Sequence, residues 1–231
     1  MLPRGSGPLS GPVDRPWQGG PVDAEELAGL LPELEDAGPE LTGGAAYDGL
    51  HFAGLELSGD ATDARFLECR LTGCDLDGVD LQRARLSTVL LEECRATAVS
   101  AVDGTWLDVV VSGGRLGALT AHGAGLTRVL LDGVKADYLD LRGGTATAVE
   151  LRGCTLGELD LTGAQLRDLR LPGTSVGSLV LAGARCRDVD LSGAEVERLD
   201  DVGALAGCTI SRGQLVAWAE GMAGHLGIQV S

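Results

Sequence analysis

From Phe66 to Val196 an apolar residue stands at every fifth position, 27 times in succession, and 16 of the 27 are Leu. Self-similarity at so short a fixed step means that no unit buries its apolar side chain alone, so stability has to come from stacking units on one another. A second period runs inside the first. The residues two before centres 66, 86, 106, 126, 146, 166 and 186 are Ala64, Ala84, Gly104, Ala124, Gly144, Ala164 and Ala184, all small. One repeat later the same column is bulky apart from Cys69, the next is mostly small, and the fourth is bulky throughout, from Val79 to Leu199. Columns that keep their type at a spacing of 20 put four repeats in each turn. The cross-section is then a square with two kinds of corner.

Glycine marks the corners. It follows the centre by two places at Gly73, Gly113, Gly133, Gly153, Gly173 and Gly193, and again at Gly123, Gly143, Gly163 and Gly183, just ahead of the small column. A type II turn needs a positive φ at its third residue, which Gly supplies without steric cost. Two corners per coil are therefore expected to be type II, and the two without Gly to use another turn. Upstream, Tyr47, Phe52 and Leu57 keep the step, but Leu57 to Phe66 is one residue short. That places a deletion, seen as a kink or bulge, at Gly59–Asp63. Trp106 is flanked by the small centres Ala96, Ala101 and Ala121, the compensation that close packing in a narrow interior requires. The inward ladder is typified by Phe66, Leu71, Leu76, Leu81, Trp106, Leu141, Leu161 and Leu191.

Segments such as Leu159-Asp160-Leu161-Thr162-Gly163, Val189-Asp190-Leu191-Ser192-Gly193 and Ala194-Glu195-Val196 resemble the repeats of the pentapeptide-repeat family, which read roughly Ala-Asp/Asn-Leu-x-x. The resemblance covers about two thirds of the chain. It implies an all-β fold, a right-handed quadrilateral β-helix with four repeats per coil and about 7–8 coils; at ~4.8 Å per coil the rod is roughly 35–40 Å long. The organisation expected along the chain is a disordered N-terminal tail over 1–21, a helical cap and linker over 22–44, the solenoid over 45–203, and a C-terminal helix and tail over 204–231. Asp23 is placed to cap a short helix running to Leu31. Ser211 and Gln214 have capping-box spacing ahead of a second helix.

Several functions are disfavoured. No apolar stretch approaches the length of a membrane span and the first twenty residues are Pro/Gly-rich without an apolar core, so the cytoplasm is the default location. Five of the six cysteines fall in inward columns, where Cys behaves as a small hydrophobe, and Cys208 lies past the array. No CxxC occurs and His51, His122 and His225 are far apart, so neither a metal site nor a cofactor is expected. The acids inside the array sit at outward places of the repeat, and a packed interior offers no pocket to perturb a general acid or base. The chain is read as a non-enzyme.

The net charge is −16. Some pentapeptide-repeat proteins resemble B-DNA in shape and charge, bind type II topoisomerases such as DNA gyrase and protect them from quinolones or other poisons, so the resemblance implies gyrase as one possible partner. Here residues 1–60 hold 11 acids and 2 bases, whereas residues 61–200 hold 21 and 15. B-DNA of 35 Å carries about 20 negative charges, far more than the rod's excess. The candidate acidic partner face is Asp80, Asp140, Asp160 and Asp200 in one outward column with Asp77, Asp137 and Glu197 on the adjoining corner. Arg65, Arg85 and Arg185 on the first face and Arg95, Arg115 and Lys135 on the third oppose it. Direct binding of nucleic acid is disfavoured by the sign of the charge. An unidentified protein partner bound by a scaffold is the first reading, and a DNA mimic directed at gyrase is the second.

Two further surfaces stand out. Leu90, Val110 and Leu130 share an outward column, with Leu67 and Leu107 on the adjoining corner; this apolar edge either docks a partner or lies under the N-terminal segment. At the other end Leu215, Trp218, Met222 and Leu226 recur at helical intervals, and either join two rods as a homodimer, as in well-studied relatives, or plug the last coil.

Overall fold

Residues twenty apart pair. Thr105–Ser112 lies parallel to Arg85–Glu92 on one side and Gly125–Asp132 on the other, with Thr105 opposite both Arg85 and Gly125. The same step carries Arg95–Ser100 through Arg115–Thr120, Lys135–Asp140, Thr155–Asp160 and Ser175–Val180 to Glu195–Asp200. A computed structural model describes residues 20–230, so the tail expected over 1–21 falls, but for residues 20 and 21, outside the described residues. The chain is an all-β parallel solenoid of about eight turns with two helices. One sheet of 13 strands covers the first two faces and one of six covers the third and fourth.

The centres point inward because alternation along each short strand leaves their neighbours outside. Phe66, Leu71, Leu76, Leu81, Trp106, Leu141, Leu161 and Leu191 all belong to one continuous buried cluster. Trp106 fits because its corner is minimal: a Cβ on Gly104 would stand 3.4 Å from the indole Nε1. Beside it remains a void of about 10 Å³, lined by Leu119, Ala121, Leu126 and neighbouring apolar side chains.

The corner before the first face is a closed turn. The N–H of Ala84 donates to the Leu81 carbonyl (2.9 Å), Ala164 to Leu161 (3.0 Å) and Ala184 to Leu181 (2.8 Å), and the third residue has positive φ, at Gly163 +67° and Gly183 +67°. The Gly column before the third face is also left-handed from Gly113 to Gly173, whereas Gly193 is not. A third corner also carries a left-handed residue. Glu68, Thr88, Asp108, Arg128, Ala148, Asp168 and Asp188, between the first and second faces, all have φ between 52° and 56°. None is Gly. Strand pairing continues on both sides of this residue and skips it, Leu107 pairing with Thr127 and Val109 with Val129, so the ladder enforces a conformation that side chains resist. Thr88, β-branched at φ 56°, is the most strained kind of occupant. Thr88→Gly is expected to raise stability by about 0.5–1 kcal/mol in urea titration, the relief of left-handed strain exceeding the entropy Gly adds to the unfolded chain.

The first coil departs from this register. Tyr47 pairs with Phe66 and Glu56 with Asp75, 19 apart, but Asp60 with Asp80, 20 apart. The missing residue therefore falls between Glu56 and Asp60, slightly upstream of Gly59–Asp63. Gly59 makes it possible: its φ is +111°, and a Cβ there would run into the Leu41 carbonyl. Tyr47 stacks on Phe66 at 4.8 Å. Parallel pairing also begins upstream of residue 45, Glu35–Asp36 against Leu50–Ala53 and Glu40–Leu41 against Ser58–Gly59. At the far end it runs beyond 203, because Cys208–Thr209 pairs with Val189–Asp190.

Candidate partner surfaces

An outward Asp one place before a centre need not present its charge. Asp80 Oδ1 accepts the N–H of Gln82 (2.9 Å), Asp140 that of Arg142 (3.0 Å), Asp160 that of Thr162 (2.9 Å) and Asp190 that of Ser192 (2.9 Å). Each carboxylate folds back over its own corner as an Asx turn, satisfying a backbone donor two residues on. Asp140 is 0% and Asp160 8% exposed, which corrects the reading of both as displayed acids. Arg142 completes the site, its Nε 2.9 Å from Asp140 Oδ1 and its Nη2 2.7 Å from Oδ2, with His122 Nδ1 3.8 Å from Oδ2. Burial pushes the Asp140 pKa up, but the hydrogen bonds and charge of Arg142 outweigh it and hold the carboxyl below the usual range.

The corner acids are also engaged. Asp77 accepts the N–H and the hydroxyl of Thr97 (3.1 and 3.2 Å), and Asp137 meets Arg115 at 2.9 Å. Glu197 and Asp200 are exposed, together with Asp188, Glu195 and Asp201 of the last coil. Thus the seven acids do not form one continuous face. Between coils, ion pairs recur at the 20-residue step, Arg83 with Asp63 at 2.8 Å and Arg95 with Asp75 at 3.1 Å. On the first face Arg65, Arg85 and Arg185 are exposed.

The apolar edge is largely covered. Helix α1 (Ala24–Leu30), capped by the Asp23 carboxylate on the Glu26 N–H (2.8 Å), lies along the second face rather than over the open end. Its Leu27 is 1% exposed and packs on Leu90, Val110 and Leu130, each 0% exposed, with Val22, Ala28 and Leu31 around them. These three are therefore not a free patch. Leu107 is half-buried and Leu67 remains 41% exposed.

Helix α2 (Arg212–His225) starts with a complete capping box of Ser211 and Gln214. Gln214 does more: its Nε2 donates to the Leu191 and Ala194 carbonyls at 2.7 and 2.9 Å, meeting the edge of the last coil, while Trp218 is 8% exposed against the body. The four residues singled out at helical intervals hence divide. Trp218 faces inward and Met222 is half-buried, whereas Leu215 and Leu226 are 50% and 72% exposed. Val216, Ile228 and Val230 join them at 77%, 56% and 69%; nothing in the periodicity singled out these three, nor the second role of Gln214.

Among the described residues no cluster of His, Cys, Asp or Glu has metal-holding geometry, and no helix is long and apolar enough to cross a membrane. The stacked square coils define a parallel β-solenoid, and the family model for pentapeptide repeats matches in 8 copies, with residues 60–92 matched. The chain is a pentapeptide-repeat protein. No curated protein matches it in sequence. Similar solved structures include trypsin-treated QnrB1, described as a plasmid-mediated fluoroquinolone resistance protein, with 16% identity over 81% of this chain and 100% of that one and a TM-score of 0.48. HetL, a pentapeptide repeat protein involved in heterocyst differentiation regulation from the cyanobacterium Nostoc sp. strain PCC 7120, has 19% identity over 73% and 90%, with a TM-score of 0.40. Full-length QnrB1 has 13% identity over 81% and 99%, with a TM-score of 0.32.

Proposed function

We propose that this protein is a non-catalytic cytoplasmic scaffold whose rod binds a protein partner and which pairs with a second copy through its C-terminal end. The fate of the acids carries this reading over mimicry of nucleic acid. With Asp140 and Asp160 folded under and Asp137 paired to Arg115, the rod presents interleaved positive and negative columns, suited to a specific protein surface rather than to a site built for a polyanion. The pairing is supported by Leu215, Val216, Leu226, Ile228 and Val230, five exposed apolar side chains on one terminal segment. Val216→Asp combined with Leu226→Asp is expected to yield monomer in sedimentation velocity while circular dichroism stays unchanged; a wild type that already sediments as monomer at tens of micromolar contradicts the pairing.

One observation favours the second reading, a DNA mimic that binds gyrase. Asp188, Glu195, Glu197, Asp200 and Asp201 are exposed together on the last coil, and joining two rods at that end would bring ten such acids close. Gyrase supercoiling with purified protein separates the readings. The scaffold reading expects neither inhibition nor protection from a quinolone at micromolar protein; either effect favours mimicry.

A further inference from the structure

The six cysteines are not equivalent. Cys69, Cys74, Cys94 and Cys154 are 0–3% exposed in inward columns, whereas Cys186 and Cys208 are both only half-buried. Cys186 is the centre of the first face in the last full coil, and Cys208 belongs to the strand laid onto that coil, with Val189 opposite Cys208. Gly207 brings the two backbones together. Its φ is +85°, and a Cβ there would collide with the Cys186 carbonyl oxygen, so no side chain separates the strands at this point. Both side chains pack against the same end of the core, which sets the two thiols close enough to interact. The neighbouring Cys208 thiol draws the Cys186 pKa down against the opposing effect of burial, which favours the nucleophilic thiolate. Cys74 and Cys94 touch in the same way but are sealed from any reagent.

We propose that Cys186 and Cys208 are a disulfide-forming pair, oxidised by low-molecular-weight disulfides, whose bond staples the last coil to the segment that carries α2. The Cys186 thiolate attacks one sulfur of the reagent, forming a mixed disulfide and releasing one small thiolate, which takes up the proton Cys186 has lost. Cys208 then gives its proton to water and attacks the Cys186 sulfur, expelling the second small thiolate, which is protonated in turn. Two protein thiols are oxidised and one reagent disulfide is reduced to two thiols. The ring so closed contains residues 187–207, with the 3-10 turn Val202–Leu205.

Incubation of the full chain with excess glutathione disulfide, alkylation of remaining thiols and tryptic mapping tests this. Cleavage after Arg185, Arg187, Arg198 and Arg212 releases Cys186 on residues 186–187 and Cys208 on residues 199–212. The expected product is these two peptides joined, two hydrogens lighter than their sum, absent from Cys186→Ser and from Cys208→Ser. The melting midpoint of the wild type should rise by roughly 5 °C on oxidation and return with dithiothreitol, with no rise in either variant. Free thiols or separate glutathione adducts at both positions overturn the pair, as does a Cys74–Cys94 link formed equally fast. A bond that forms without moving the midpoint overturns the staple. The peptide map of the wild type stands even where a variant fails to fold.

Discussion

Ala164→Leu is expected to destabilise the solenoid by about 3 kcal/mol, while Ala182→Leu changes stability by less than about 0.5 kcal/mol. Ala164 is 1% exposed at the closed corner before the first face, where its N–H donates to Leu161 and its carbonyl accepts from Arg185 (3.0 and 2.8 Å). Both backbone groups are committed to the turn and to the next coil, so the corner cannot move outward to admit three more carbons. One coil earlier the column is just as tight: a Cβ on Gly144 would already stand 2.5 Å from the Ala124 carbonyl. Ala182 is the second residue of the turn from Leu181 to Ala184 and partly exposed, so its side chain grows into water. Urea denaturation of both variants measures the difference. Equal losses would show that inward and outward phases are misassigned.

Asp140→Asn is expected to cost about 2 kcal/mol at pH 7. The amide oxygen keeps the turn bond to the Arg142 N–H but loses the paired charge-assisted bonds to its guanidinium, and because the Arg142 side chain is 49% exposed water compensates part of the loss. The sign of the pH dependence follows from the depressed pKa of Asp140. A carboxyl with a lower pKa folded than unfolded contributes stability that is complete above the unfolded value, near 3.8, and is lost as pH falls through the folded one. The gap between wild type and variant should therefore not narrow from pH 7 to about pH 5, where any charge gained by His122 adds to it, and should shrink below the unfolded value. Denaturation midpoints at pH 7, 5 and 3.5 measure it; a gap independent of pH would mean that Asp140 is not the charged partner of Arg142.

Much of the fold is written in the five-residue step, because the step fixes which side chains turn inward and a 20-residue recurrence fixes what lies over them. What is not written there is chemistry that leaves the step. Seven left-handed residues from Glu68 to Asp188 carry no Gly to announce them, since pairing on both sides, rather than local preference, holds their backbone. The Asp column looked outward because its Cα atoms do; its carboxylates return to the backbone of the same corner, a two-residue contact invisible to a five-residue period. The sequence leaves the apolar edge of the second face open between a partner and the N-terminal segment, and only three-dimensional docking places Leu27 upon it. Cys208 looked outside the array because its strand arrives one residue out of phase, 19 from Val189 rather than 20.

An array of near-identical coils has no intrinsic length: each finished coil offers the next the same row of carbonyls and N–H groups, and a further coil, from this chain or another, would fit as well as the last. Gln214 ends that series. Its amide takes the Leu191 and Ala194 carbonyls in place of another coil. The end of the rod is thus closed in part by a side chain, beside the strand Cys208–Thr209 laid over Val189–Asp190, and lengthening the rod by inserting whole coils upstream leaves that stop signal intact.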